Sequence, residues 1–376
     1  MSSNIQVPVS VDQPIRVAQV IGKMVGGGVE SVVMNYYRHI DRTRVQYDFL
    51  VDSDSTRIPE EEITSLGGRV FKIPPYQHPL QYRRALIQLF LEYHWKIVHS
   101  HVNTLSVFPL SAAKEAGIPI RIAHSHSTTG KGEPIKNIMK LALRPFANVY
   151  PTERFACSNY AGEWLFGDKD YVVIPNAIPL DRFRFDPQTR QRIREGLNIA
   201  PDTLLIGHIG RFMPQKNQRF LVDVLADLLQ RHVKAQLAFV GEGPDMGSVK
   251  MYAGTMGVQD HVMFLGQHSD VCKYYWAFDV FCLPSQYEGL CLVGIEAQRA
   301  GLPCIFSSPV TDEVNVTGTA QFLPINSPQK WVEALEHHAP GKRIPTDDEA
   351  FHDYDIVKQG QLLTQRYIDL YNRINK

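Results

Sequence analysis

Apolar residues along the chain gather in short runs rich in valine and isoleucine, and between these runs they recur at helical spacing. The runs are bounded by glycine, proline and asparagine, which predicts strands joined by helices. In the first half the strands are expected at Arg16–Ile21, Gln46–Val51, Arg69–Ile73, Ile97–Ser100, Ile120–His124, Arg154–Cys157 and Tyr171–Ile174, with a helix over Ser31–Ile40. The second half restarts the pattern at Leu204–Ile209 and a helix over Asn217–Gln230. It continues with strands at Gln236–Val240, Val262–Leu265, Val280–Leu283 and Cys304–Phe306. This alternation predicts an α/β protein of two Rossmann-like, doubly wound parallel-sheet domains, not an all-β or helix-bundle fold. Pro175 and Pro179 flank Asn176, Ala177 and Ile178 between the halves and mark the linker, so the domains are expected at 1–180 and 181–351. Beyond a loop at His338–Asp348, Ile356, Leu362, Leu363, Tyr367 and Leu370 predict a terminal helix over Tyr354–Ile374 with one face to bury. The segment 352–376 is expected to complete the first domain.

Composition narrows the class. A chain of 376 residues, 44% hydrophobic and 21% charged, has about twice the length of an ordinary domain and can bury a full core. No apolar run approaches the roughly 20 residues needed to cross a bilayer. Met1 to Pro14 lacks the apolar stretch of a signal peptide, so a cytoplasmic enzyme is expected. The cysteines Cys157, Cys272, Cys282, Cys291 and Cys304 are odd in number and contain no C-x-x-C pair, which argues for free thiols and against a structural zinc. A formal charge of zero leaves no basic stripe for nucleic acid. The 19 basic and 16 acidic residues up to position 180 leave 20 and 23 after it, so the halves carry +3 and −3.

Ligands of open α/β sheets bind beyond the carboxyl ends of the strands, and five segments there carry chemistry. Gly26-Gly27-Gly28 follows the first strand and opens a helix, where backbone amides can approach an anion, although the spacing is not the dinucleotide-binding G-x-G-x-x-G. His99/His101 and His124/His126 form H-x-H pairs at two strand ends; alternation puts the members of a pair on one sheet face, a geometry shared by metal sites. No convincing set of carboxylates at neighbouring strand ends accompanies them, so no metal is expected. Gly210-Arg211 and Lys216, at a strand-to-helix junction, bring a guanidinium and an ammonium to a helix N-terminus and suit a diphosphate. Gly241 and Gly243 make a tight turn after another strand, which is equally consistent with a structural role. Glu288 and Glu296, with seven residues between them, straddle a loop-to-helix junction. Their carboxylates can accept bonds from sugar and ribose hydroxyls while the amides of Gly289, Leu290, Cys291 and Leu292 hold oxygens.

Taken in order, these segments resemble the retaining, family-4 (group 1) glycosyltransferases of the GT-B fold, over Gly26 to about Pro303. The most specific stretch, Glu288–Pro303, reads E-G-L-x5-E-A-x3-G-x-P. The H-x-H pairs and Leu283-Pro284-Ser285-x-x-Glu288-Gly289-Leu290 bring the polysaccharide-assembly branch closest. The resemblance implies that Arg211 and Lys216 grip a donor diphosphate, Glu296 binds the nucleotide ribose, and Glu288 holds the transferred sugar with the amides of 289–292. It also implies that the Gly27/Gly28 loop approaches donor or acceptor and that His124, with His126 next in line, stands near the anomeric carbon. His101, Ser158 and Asn176 would line the cleft. The implied reaction moves a hexosyl unit from a nucleotide sugar, UDP-hexose first, to a saccharide acceptor with retention, without metal or cofactor. Fixed cations stabilise the departing diphosphate, a donor phosphate oxygen takes the acceptor proton, and neither glutamate serves as a nucleophile. Two departures stand out: Leu290-Cys291 replaces the aromatic and proline common after the first Glu-Gly, and Ser307–Glu313 replaces a glycine-rich loop ending in glutamate.

On the acceptor side, Lys131, Lys136, Lys140 and Arg144 interleave with Ile135, Ile138, Met139, Leu141, Leu143 and Phe146. Such a basic amphipathic pattern over 131–150 fits peripheral contact with the inner face of a membrane and a lipid-linked saccharide acceptor, as well as a helix packed on the first sheet with a solvated basic edge. Two other classes share parts of the picture. A UDP-sugar 2-epimerase of the same architecture would use the same nucleotide contacts, and a metal-dependent hydrolase would use the H-x-H pairs.

Overall fold

The computed structural model describes residues 13–126 and 134–374, with side chains of the later segment from 138 onward. Two parallel sheets organise it. The first contains β1 (Ile15–Gly22), β2 (Val45–Asp52), β3 (Arg69–Ile73), β4 (Ile97–Ser100), β5 (Ile120–Ser125), β6 (Glu153–Ala156) and β7 (Val172–Val173), in the order β3-β2-β1-β4-β5-β6-β7. The second contains β8 (Leu204–Ile209), β9 (Ala235–Val240), β10 (Val262–Phe264), β11 (Val280–Leu283), β12 (Cys304–Ser307) and β13 (Gln321–Leu323), in the order β10-β9-β8-β11-β12-β13. Strands β2, β4, β8, β11 and β12 are buried along their whole length, as expected where helices cover both faces of a parallel sheet. The expected strands all form, within a residue or two of their expected ends. Strand β13 was not foreseen: it is three residues long, only partly buried, and lies at the sheet edge.

Strand order reverses direction beside the first strand of each sheet, between β1 and β4 and between β8 and β11. In doubly wound sheets these switch points leave a crevice beyond the strand ends, because the connecting helices depart to opposite faces. The chain segments that enter the two crevices are the ones the sequence singled out.

By proximity the chain forms two compact units. One runs to His124 and adds Phe146–Phe155 and the chain from Val357; the other joins Ser125–Pro145 to Ala156–Ile356. Within the first unit the terminal helix Ile356–Arg373 lies against the helix Gly28–His39. Gly360 stands so close to the His39 backbone that a Cβ would come 2.6 Å from its carbonyl oxygen, and Thr364 Oγ1 accepts a bond from the Asp41 amide at 3.0 Å. Tyr37 and Tyr47 stack at 5.1 Å, and Tyr367 of the terminal helix meets the Tyr47 ring edge-on at 6.0 Å. The second unit packs Phe212, Phe239 and Trp331 with leucines and valines of the helix Gln218–Gln230 into one core.

No helix among the described residues is long and apolar enough to cross a membrane. The expected amphipathic segment is a helix over Pro134–Leu143 and a short turn over Arg144–Phe146. Lys131 and the side chains of Ile135 and Lys136 lie outside the described residues. Downstream, Ile138, Leu141, Phe146 and Val149 are exposed, and the Arg144 guanidinium lies 5.6 Å from the centre of the Trp164 ring.

Candidate functional site

In the second unit, the crevice between β8 and β11 brings two loops together. The loop after β8 runs through Gly210 and Arg211 to a single 3-10 turn, Pro214–Lys216, and enters its helix through Asn217 in the left-handed conformation. The loop after β11 runs from Pro284 to Cys291. Cross-bonds pin the two: the Gln286 amide donates to the Gln215 carbonyl at 2.8 Å, Gln215 Nε2 donates to the Tyr287 carbonyl at 2.9 Å, and Asn217 Nδ2 donates to the Pro284 carbonyl at 3.3 Å. This places Lys216 Nζ 2.6 Å from Glu288 Oε1, with both side chains nearly buried. Arg211 is exposed, and its guanidinium has no ion-pair partner among the described residues. A paired ammonium and an available guanidinium therefore flank one helix entrance, an arrangement suited to an anion with more than one charged group.

Gly241 and Gly243 underlie this loop. A Cβ on either would collide with the backbone of Gly210 or Phe212, and the Phe212 amide donates to the Glu242 carbonyl at 3.0 Å. Gly241 moreover has φ +137°. The two glycines thus let one strand end lie flat beneath the other, and their requirement is close approach of backbone.

Glu288, Gly289, Leu290, Cys291 and Leu292 are all buried, and Cys291 stands at the start of the helix Leu292–Arg299. The Cys291 thiol is pushed up to about 12 by burial and stays neutral. Glu296 sits one turn into that helix, whose Leu292, Gly294, Ile295, Ala297, Gln298 and Arg299 are buried. Glu296 itself is partly accessible, so its opening to solvent is not part of a solvated helix face. Burial pushes its carboxyl up to about 7, opposed by a hydrogen bond from Tyr275 and by the charge of Arg182. Tyr275 donates its hydroxyl proton to Glu296 Oε2 at 2.8 Å. Neither Tyr275 nor Arg182 was singled out by sequence.

Asn176 and Ser158 also fall in this unit. Asn176 is buried and its Nδ2 donates to the Leu290 carbonyl at 2.5 Å, which fastens the linker to the glutamate loop. Ser158 caps the helix Asn159–Phe166 by accepting from the Ala161 amide at 3.2 Å. The same helix end receives Glu313, whose carboxylate accepts from the Asn159 and Tyr160 amides at 2.9 and 2.8 Å. The segment Ser307–Glu313, which lacks the expected glycines, thus ends in a carboxylate that caps a helix. His126, just past the end of β5, is buried, and burial lowers its pKa to about 3, so it is neutral.

The first unit holds the other candidates. The Val25, Gly26 and Gly27 amides all point at the carboxylate of Glu30, at 2.9, 2.5 and 2.9 Å. The amides expected to meet an external anion at Gly27 are thus already satisfied by an internal one, and the signal, a glutamate three residues after Gly27, was present in the sequence. His99, His101 and His124 are buried together. His99 Nε2 and His124 Nδ1 share a proton at 3.1 Å, His99 Nδ1 meets the Tyr367 hydroxyl at 2.6 Å, and His101 Nε2 meets Gln19 Oε1 at 2.7 Å. Among the described residues these three histidines form the group that could hold a metal, with one nitrogen of each within 4.8 Å of the others. A metal bound through His99 Nε2 or His124 Nδ1 would have to displace the proton between them, because a nitrogen that carries a proton cannot ligate.

Comparison with known proteins adds to this geometry. Residues 26–182 match the family described as Glycosyltransferase Family 4, and residues 189–337 match Glycosyl transferases group 1. The chain is 36% identical to EpsF of Bacillus subtilis (strain 168), named as a glycosyltransferase, over 87% of this chain and 88% of that one. It is 25% identical to an Escherichia coli UDP-Gal:alpha-D-GlcNAc-diphosphoundecaprenol alpha-1,3-galactosyltransferase, over 76% and 78% of the two chains. Among solved structures, Anabaena HepE in complex with UDP-glucose superposes with a TM-score of 0.76 at 16% identity, covering 94% of this chain and 99% of that one.

Proposed function

The chain belongs to the group 1 glycosyltransferases and has their GT-B fold of two Rossmann-like domains; from that premise we propose that it transfers a hexosyl unit from UDP-hexose to a lipid-linked saccharide in cell-surface polysaccharide synthesis, with retention and without a metal. The observation that carries the reading is the meeting of Lys216 and Glu288 at the β8–β11 switch point, with Arg211 exposed beside them. A diphosphate entering there meets fixed cations, and as the sugar bond breaks, the charge growing on the leaving diphosphate is stabilised without solvent reorganisation. Glu288, released from Lys216 by the diphosphate, accepts hydroxyl bonds from the sugar, and Glu296 accepts them from the ribose. The donor domain in this reading spans 181–351, and 1–180 with 352–376 receives the acceptor.

His124, with His126 next in line, is the histidine proposed beside the anomeric carbon, and His126 is buried and neutral. A neutral imidazole there adds no positive charge to repel the developing oxocarbenium centre. The exposed apolar residues Ile138, Leu141, Phe146 and Val149, set among the basic residues of 131–150, support peripheral contact with a cytoplasmic membrane face. Co-sedimentation with anionic vesicles, lost in Ile138→Glu, checks that contact; equal sedimentation of both proteins rejects it. The donor is supported by the name of the Escherichia coli relative and by the UDP-glucose of the Anabaena structure.

The test is a thermal-shift panel of nucleoside diphosphates and nucleotide sugars, since a ligand bound only to the folded protein raises its apparent stability. UDP and at least one UDP-hexose should stabilise the protein, less so in Arg211→Ala. No shift with any sugar nucleotide would reject the proposal.

A further inference from the structure

Glu296 reaches the candidate donor site from a mostly buried helix, and its two carboxylate oxygens have different surroundings. Oε2 accepts the Tyr275 hydroxyl at 2.8 Å, whereas Oε1 has no bonded partner among the described residues. Tyr275 is completely buried in the helix Cys272–Ala277, and its ring is held by Phe183, Phe278 and Phe281 at 5.9, 6.4 and 5.7 Å. Its hydroxyl also lies 3.3 Å from the Val293 carbonyl. Of the two acceptors, the carboxylate makes the shorter, charge-assisted and therefore stronger bond. The aromatic packing fixes the phenol, and the phenol fixes the carboxylate.

We propose that Tyr275 is a positioning residue for donor binding: it holds Glu296 by one oxygen so that the other is presented, ionised, to the ribose hydroxyls. The inference rests on the reading of Glu296 as the ribose anchor. Ribose hydroxyls donate, so an ionised carboxylate can accept from both at once, whereas a protonated one loses an acceptor and must place its own proton. Burial works against the ionised form, and the Tyr275 bond works for it. The other groups around the pair are Arg182, which also favours ionisation, and the thiols Cys272 and Cys291, both pushed up to about 12 and therefore neutral. Tyr275 is a neutral donor bonded to the carboxylate, so it holds the charge without cancelling it.

The test compares wild type, Tyr275→Phe and Glu296→Gln for UDP affinity by calorimetry and for UDP-hexose KM and kcat, from pH 6 to 9. Phenylalanine keeps the packed ring, so folding is preserved and only the hydroxyl is lost. At pH 7, Tyr275→Phe should weaken UDP binding and raise KM about tenfold, the loss of one hydrogen bond to a charged group, while kcat at saturating donor changes less than about threefold. The acidic limb of its affinity profile should move up by about one pH unit, and the deficit should shrink at pH 9. Titration of the UDP phosphate is common to all three proteins and cancels in their ratios. A purely structural tyrosine would lower stability and leave the limb in place; that result, with Glu296→Gln still weakening UDP binding, overturns the inference and leaves the ribose reading standing. If Glu296→Gln binds UDP as well as wild type does, the ribose reading itself fails and Tyr275 loses its role with it.

Discussion

In the proposed reaction the Lys216–Glu288 pair has two separable roles, and one substitution tests both. In the free protein Lys216 Nζ lies 2.6 Å from Glu288 Oε1, and the side chains are 15% and 9% exposed. Lys216→Ala leaves a nearly buried carboxylate without its counterion. Breaking a buried pair costs about 3–5 kcal/mol, and the residual access to water brings this case to about 2–3 kcal/mol. For a unit of 150–250 residues each kcal/mol moves Tm by about 2–4 °C, so a fall of about 5–10 °C is expected. Adding Glu288→Gln should recover most of that loss, because an amide needs no counterion. Activity should not recover. In the proposed reaction the ammonium stabilises charge on the departing diphosphate, and losing one such group costs about 10²–10³ in kcat. Scanning calorimetry on the wild type, both single variants and the double variant gives the coupling, and UDP release gives the rates. If the two stability changes add within about 0.5 kcal/mol, the pair is not coupled; if kcat of Lys216→Ala stays within about fivefold of wild type, the clamp reading is wrong.

Glu313→Ala removes the carboxylate from the Asn159 and Tyr160 amides and should lower stability by about 1–2 kcal/mol, read from urea unfolding; an unchanged midpoint would mean the cap carries no weight. Full transfer activity should survive EDTA, with no stoichiometric metal in protein purified without additions; loss of activity on chelation would turn attention to His99, His101 and His124. The Glu296 carboxyl is raised to about 7 from an unfolded value of about 4.3, so the folded state holds the extra proton between these values. Its contribution to stability is present below about 4.3 and is lost as pH rises through 7, and denaturation at pH 5 and 8 should show this slope in wild type and its absence in Glu296→Gln.

The fold was legible wherever burial dictated composition. Val280–Leu283 and Cys304–Phe306 are wholly buried, so their residues are apolar and the runs are visible, whereas Gln321–Leu323 pairs on one side only and carries no such signal. The site was legible where its parts are near in sequence: Arg211 with Lys216, and Glu288 with Glu296. It was not legible where a partner comes from another element. Tyr275 approaches Glu296 across 21 positions and Glu313 reaches Asn159 across 154, and nothing local in either segment announces the contact. The glycines expected at a donor site have reasons within the protein: at Gly241 and Gly243 the need is close backbone approach, and at Gly27 the amide is satisfied by Glu30.

The central claim is transfer of a sugar from a nucleotide donor to an acceptor with its configuration kept. It is tested most directly by following UDP release from UDP-hexose with and without a lipid-linked saccharide and reading the new linkage by NMR. UDP should appear only when the acceptor is present, and the transferred sugar should keep the donor's anomeric configuration. Conversion of the donor to an isomer without acceptor, or an inverted linkage in the product, would contradict the account.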